Sequence, residues 1–308
     1  MQALKSMPVS FPGLFGDWEF TLDPVAIDIG HGIYWYGIIL AFAMLSGLFL
    51  AMKQAKHYGL TEDHLMDMIL WAVPGCIIGA RIYYVVFYLD LYRNADGSLD
   101  WGRMAAIWDG GIAIYGAVIA AMIVVYLYAR AKKIPAPALM DVGVLGLILG
   151  QIIGRWANFV NREAFGGVTD LPWRMRVWTS EFQYVEVHPT FFYESMWNLV
   201  GLLLLLFVVS KSRRFDGENA CFYFLWYGIG RFWIEGLRED SLYLFDWQLF
   251  GQPIRVSQAL SLAMIVVSLA LLVYHLKIRP HDPAELYVNR VAAEKAQKEA
   301  QENERTDP

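Results

Sequence analysis

Seven runs of about twenty apolar residues divide this chain, near 33–52, 66–89, 111–129, 139–160, 190–209, 219–236 and 256–276. A run of that length reaches across the hydrocarbon core of a bilayer and satisfies its own backbone hydrogen bonds as a helix. The composition agrees: 57% of the residues are hydrophobic and 18% are charged, where a soluble chain carries about a quarter charged. The pattern predicts an all-α polytopic membrane protein with about seven transmembrane helices. The sixth run is the shortest of them and is charged at its end. The stretch before the first run has no basic region leading into an apolar core, so the first span is expected to direct its own insertion. The net charge of −5 and the lack of a basic patch exclude nucleic acid as a partner. Cys76 and Cys221 both fall inside apolar runs and read as packing residues. No metal-ligand spacing occurs, so neither a metal nor a soluble cofactor is expected.

Charge in the loops sets the orientation. Lys53 and Lys56, then Arg130, Lys132 and Lys133, then Lys211, Arg213 and Arg214 follow spans one, three and five, and Lys277 and Arg279 follow span seven. The positive-inside rule therefore places the N-terminus outside and the C-terminus in the cytoplasm, as a multi-pass protein of the bacterial cytoplasmic (inner) membrane. The organisation expected is one membrane body over 1–276, with a small outer head at about 161–188 between spans four and five. Residues 277–308 read as a charged, solvated cytoplasmic tail.

Against this apolar background three arginines stand out, each straight after a small residue: Ala80-Arg81, Gly154-Arg155 and Gly230-Arg231. A charge at the centre of a spanning helix costs roughly 2.5–3.5 kcal/mol on insertion scales. In the orientation above all three lie in the outer halves of their spans, level with Tyr36, Tyr115, Glu194, Ser257 and Gln258. Arg155 shares a helix face with Asn158, and with Asn161 if the helix continues. Arg231 shares one with Glu235, and Arg238 lies a turn further on. Such residues also serve as glue between helices, but their crowding at one depth favours a binding site. The forked, permanently charged guanidinium points to an anionic lipid headgroup as ligand. Gly166 and Gly167 permit a close approach of backbone to ligand, or form a plain turn.

The segment GRWANFVNREAFGG over 154–167 resembles the signature of bacterial prolipoprotein diacylglyceryl transferases. Weaker blocks agree in order: IYWYGII, GARIYYVVFY, WDGGIAIYGA, HPTFFYES and GIGRFWIEGLRED. The resemblance runs from about residue 20 to 276. It implies transfer of a diacylglyceryl group from phosphatidylglycerol to the lipobox cysteine of a prolipoprotein, forming a thioether and releasing glycerol phosphate. It implies a catalytic set of Arg155, Arg231, Glu163, Glu235, Tyr36 and Tyr115. Asn158, Asn161, Gly166, His188, Tyr193 and Glu194 are implied to bind substrate, and Arg81 and Arg238 are expected to join them from the charge pattern above. The arginines would hold the phosphate, and the glutamates would fix them or accept the thiol proton. Many members carry histidine where this chain has Tyr115, and tyrosine, with an ordinary pKa near 10, is a poor base at neutral pH. Of the histidines only His31 and His188 face the outer side, His31 as an interfacial residue and His188 as a cap to span five. Two readings from other classes are a lipid transporter or scramblase, which would spread polar residues over both sides of the bilayer, and an intramembrane protease, which would need a nucleophile or acid pair deep in the spans. Asp141, near the inner start of span four, fits none of these roles.

Overall fold

A computed structural model describes residues 8–16, 18–29, 32–94, 96–180, 183–239, 243–249 and 252–306; His31 lies outside them. The apolar runs form α1 (Trp35–Ala55), α2 (Glu62–Phe87), α3 (Ile114–Lys132), α4 (Ala136–Asn161), α5 (Thr190–Leu204), α6 (Glu218–Gly236) and α7 (Val256–Val273), and the tail forms α8 (Tyr287–Thr306). Among the described residues, six helices are long and apolar enough to cross a membrane. The exception among the seven runs is α6, whose interior carries Asn219, Arg231 and Glu235. Large apolar side chains face outward along the others, Phe49 at 70% and Trp71 at 69% exposure among them. That is the inverse of a water-soluble fold and suits a chain whose solvent is lipid.

The chain folds as two compact units, Met1–Ala51 with Asp141–Glu285, and Met52–Met140 with Leu286–Pro308. The sequence reading left out the β-structure of the first. Its strands are β1 (Pro8–Ser10), β2 (Glu19–Thr21), β3 (Val25–Ile27), β4 (Ile33–Tyr34), β5 (Met175–Ser180), β6 (Gln183–Val187), β7 (Tyr243–Leu249) and β8 (Gln252–Arg255). An antiparallel sheet of order β2-β1-β5-β6 joins the N-terminal segment to 175–187. Alternation in β5 turns Met175 and Val177 inward, where they form a buried cluster with Val9, Val187 and Phe191. Arg176 takes the other face and pairs across the strands with Glu186 at 2.7 Å. That hydrogen bond, with Arg174 adding to it, holds the Glu186 carboxyl below the usual carboxylate range.

Helices α5 and α6 are joined by a reciprocal contact. Trp197 Nε1 donates to the Trp226 carbonyl and Trp226 Nε1 to the Trp197 carbonyl, both at 2.9 Å. The two indoles stack with centroids 4.5 Å apart. The start of α6 is held from α4: Asp141, wholly buried, accepts from the Gly217 amide at 2.8 Å and the Ala220 amide at 3.0 Å. These amides belong to the orphan donors that every helix N-terminus leaves, so Asp141 caps a helix that is not its own.

In the second unit, Thr61 and His64 form a capping box at the start of α2. Lys132 of α3 pairs with Asp67 of α2 at 2.9 Å. The glycines Gly79 and Gly116 let these helices approach so closely that a Cβ at either would meet the other's carbonyl oxygen at under 3 Å.

Replacing Asp141 by Ala leaves two buried amides without an acceptor, at a cost of about 1–3 kcal/mol. Denaturant unfolding in detergent should register that loss. Asp141→Asn, which keeps one acceptor oxygen, should lose less. Equal stability of the wild type and the Ala variant would show that the cap contributes nothing.

Candidate active site

The ends of α4, α5 and α6 in the first unit bring together most of the residues singled out by sequence. Glu194 of α5, 4% exposed, lies at the centre. One oxygen pairs with Nη1 of Arg231 at 2.7 Å, and the other with Nη2 of Arg155. Arg231 Nη2 in turn pairs with Glu235 at 2.6 Å, one turn along its own helix. The result is an alternating chain, Arg155–Glu194–Arg231–Glu235, spanning three helices. Each buried charge has an opposite neighbour, which the low dielectric requires. A guanidinium has five N–H donors, more than these carboxylate oxygens take, so donors remain for an anion. The Glu235 carbonyl also accepts from Arg255 Nη1.

Beyond Arg155, α4 ends in a tight turn. The Arg162 amide donates to the Phe159 carbonyl and the Glu163 amide to the Asn158 carbonyl, each at 3.0 Å. This is a Schellman termination, and the residue after its cap takes the left-handed conformation usually left to glycine. Here Arg162 does so with φ 54°, and Ala164 follows with φ 57°. Two non-glycine residues in that region flank Glu163, a strained turn of the kind that persists where neighbours over-determine it. Two such neighbours are visible: Thr190 Oγ1 donates to the Ala164 carbonyl at 2.5 Å and Arg162 Nη1 to the Leu22 carbonyl at 3.3 Å. Glu163 is exposed, and its carboxylate accepts from Asn158 Nδ2 at 2.9 Å. Tyr36, half-buried at the start of α1, lies within electrostatic range of both Glu163 and Arg155. Asn161 is the last residue of α4.

The Gly-Gly segment packs against protein. A Cβ on Gly166 would meet Cβ of His188 at 2.7 Å and the Leu237 carbonyl at 3.0 Å. The Gly167 amide donates to the Leu237 carbonyl at 2.7 Å, and Gly166 forms a bridge with Arg238. Small size at Gly166 is thus needed for chain packing, with φ outside the left-handed region. Beside it, Trp173 Nε1 donates to the Tyr193 hydroxyl at 2.8 Å, and that hydroxyl lies 3.3 Å from His188 Nδ1. An indole N–H only donates, so the phenol accepts there and its own proton stays available to Nδ1, an arrangement that favours the Nε2–H tautomer of His188.

Arg81 and Tyr115 belong to the second unit. Arg81 is 7% exposed and gives its donors to main-chain carbonyls: Met104 at 2.9 Å, Gly110 at 2.6 Å, Gly111 at 2.8 Å and Arg103 at 2.6 Å. It also lies over the Tyr92 ring. Its work in the structure is to fold the loop that leads into α3. Tyr115 opens that helix with its ring 6.3 Å from Tyr83. Sequence reasoning missed the left-handed pair around Glu163, the tryptophan contact and the cap by Asp141. Only the last two carried a signal, a repeated Trp-x-x-x-Gly and a lone acid in an apolar run. Among the described residues no group of three His, Cys, Asp or Glu is placed to hold a metal ion.

Burial pulls His188 below its ordinary 6.5. The folded protein then takes up this proton at lower pH than the unfolded chain. Stability is complete above 6.5 and is lost as the pH falls through the folded value. Imidazole nitrogen shifts should show Nδ1 unprotonated at neutral pH and a midpoint under 6.5. Tyr193→Phe should abolish the tautomer preference. A midpoint above 6.5 would contradict the assignment.

Comparison with known proteins points to one family. A family model, prolipoprotein diacylglyceryl transferase, matches residues 24–274. The phosphatidylglycerol–prolipoprotein diacylglyceryl transferase of Oceanobacillus iheyensis is 44% identical over 273 residues, covering 83% of this chain and 89% of that protein. Its namesake in Listeria innocua is 41% identical over 289 residues, covering 91% of this chain and all of that protein. The one in Lactiplantibacillus plantarum is 40% identical over 272 residues, covering 85% and 92%.

Proposed function

This chain belongs to the prolipoprotein diacylglyceryl transferase family, and on that premise we propose how its own residues perform the reaction. The enzyme moves the diacylglyceryl group of phosphatidylglycerol onto the lipobox cysteine of a prolipoprotein. A C–S bond forms as the glyceryl C–O bond to phosphate breaks. The thiol proton is given up, and glycerol phosphate departs with one negative charge more than the phosphate carried in the lipid. Two needs follow: a cationic clamp that grips harder as that charge develops, and an acceptor for the thiol proton.

The observation that carries the assignment is the sharing of Glu194 between Arg155 and Arg231. It presents two guanidiniums from different helices side by side, a spacing suited to one phosphate. Glu194 and Glu235 are buried against arginines and serve to orient them. Glu163 is the exposed carboxylate of the set, held by Asn158 near Tyr36 and Arg155, and is assigned the thiol proton. The arginines favour the thiolate by the same field. His188 has its Nδ1 occupied and orients rather than accepts. Asn161, Gly166 and Arg238 shape the rim, Arg81 builds the loop, and Tyr115 positions. Lipid movement alone, or cleavage of the peptide, would instead mark a transporter or a protease.

Topology follows a parity argument. Hydrogen-bonded segments share one side of the membrane. The pairing of β1 with β5 supports an even number of crossings between them, assigned to α1 to α4. The Gly167–Leu237 hydrogen bond likewise supports α6 returning what α5 carries across, although α6 is too polar to qualify by hydropathy. With α7 this reading gives seven spans. The loop charges then put N-terminus and head outside and the tail in the cytoplasm.

A reporter joined after Lys277 should be active only in the cytoplasm, and one within 161–188 only outside. The reverse pattern would put the arginines at the wrong leaflet. Thioether formation from phosphatidylglycerol and a lipobox peptide should fall by at least about a hundredfold in Arg155→Lys and in Arg231→Lys, since lysine keeps charge but loses the planar fork. Tyr115→Phe should fall only modestly. Near-normal turnover in either lysine variant would remove that arginine from the phosphate clamp.

A further inference from the structure

The contact between α5 and α6 has a symmetry that the reaction itself does not explain. Each helix carries Trp-x-x-x-Gly: Trp197 to Gly201 on α5, Trp226 to Gly230 on α6. Side chains on a helix lean toward its N-terminus, so the residue four places on shields a given carbonyl. Glycine at that place leaves the carbonyl open. Gly230 thus uncovers the Trp226 carbonyl for Trp197 Nε1, and Gly201 uncovers the Trp197 carbonyl for Trp226 Nε1. The fit is close in both directions. A Cβ on Gly230 would lie 2.3 Å from Cδ1 and Nε1 of Trp197, and one on Gly201 would lie 2.5 Å from the same atoms of Trp226. Two stacked rings, two hydrogen bonds and two bare backbones leave little freedom for one helix to slide or turn on the other.

The clasp lies directly against the ion-pair chain. Gly230 precedes Arg231, and Trp197 follows Glu194 by three residues, less than one turn. Between them is a cavity of about 10 Å³, room for a single water, walled by Trp197 and Gly230 of the clasp and by Glu194 and Arg231 of the chain. One turn further along, Asn198 Nδ2 donates to Gln151 Oε1 at 3.4 Å, and Gln151 Nε2 to the Tyr223 hydroxyl at 2.8 Å. Each of α4, α5 and α6 is therefore fixed by directional contacts just below the charge it presents.

We infer that Trp197, Trp226, Gly201 and Gly230 are positioning residues for the transfer reaction, acting through Arg231. The inference rests on the reading that Arg231 grips the lipid phosphate. A helix shift of about 1 Å is enough to cost a large factor in rate when two donors must meet one developing charge. The clasp sets that spacing, while Glu194 sets the direction of the forks.

The test is a kinetic double-mutant cycle in detergent-solubilised full-length protein, with phosphatidylglycerol and a lipobox peptide. Trp197→Phe and Trp226→Phe each remove one hydrogen bond and keep a ring in place. Each should lower kcat about tenfold with little change in KM for lipid, because an interaction completed in the transition state is weakened. In the Arg231→Lys background the same substitutions should cost almost nothing further, since the fork they place is already gone. Tyr128→Phe, which removes an α2–α3 hydrogen bond in the other unit, is the control for general loosening and should leave kcat alone. Gly230→Ala is the harsher variant, and if it does not fold the two Phe variants still decide. Lower melting temperature with unchanged kcat, or an equal kcat loss in both backgrounds, would overturn the positioning role alone. Full activity of Arg231→Lys by itself would overturn both this role and the phosphate clamp on which it rests.

Discussion

A single carboxylate holds the site together. Glu194 pairs with Arg155 through one oxygen and with Arg231 through the other, so three helices meet through one side chain. Removing it would leave two guanidiniums facing each other in a medium that screens poorly, a loss of several kcal/mol by the usual cost of unpairing a buried charge. The same arrangement keeps the arginines apart, forks outward and unable to collapse onto separate partners. Two like charges held near each other need such restraint, because they are otherwise among the least stable elements in a fold.

Helix α6 carries most of this burden. Its polarity would make it a poor membrane segment alone, and the structure answers several of its polar positions. Asp141 takes the amides at its start. Glu218 accepts from Arg214, and Asn219 donates to Ser210. Trp226 is met by Trp197, and Arg231 and Glu235 by each other. The helix is stable because its partners are already in place, which is the reverse of the apolar helices around it.

What was legible in the sequence divides along the same line. The apolar helices were, since twenty lipid-facing residues leave a period-independent signal, and observed boundaries lie within a few residues of the predicted ones. Arg155, Glu194, Arg231 and Glu235, which the structure joins in one ion-pair chain, stood out too, because charge in an apolar run is conspicuous; helical spacing added Asn158, whereas Glu163 came only from the resemblance of its segment. The strands were not legible: β1 and β2 are three residues each, β1 finds its second partner β5 far along the chain, and nothing local marks them. Arg81 was misleading in its resemblance to the other two arginines, because its partners are carbonyls, which no side-chain pattern reveals. Asp141 looked anomalous for the same reason, its partners being amides of another helix.

The sheet order β2-β1-β5-β6 also has a consequence in time. Val9 and Ser10 find their partners at Val177 and Arg176, which are synthesised only after four helices have been threaded. At about 5–20 residues per second the ribosome needs on the order of ten seconds to get there. Through that interval the first strand has only its neighbour β2 to pair with, and the ring of Phe11, which later stacks on Phe159, lacks that partner. The earliest part of the chain to emerge is among the last to settle, and newborn enzyme waits with an unfinished head until its second half arrives.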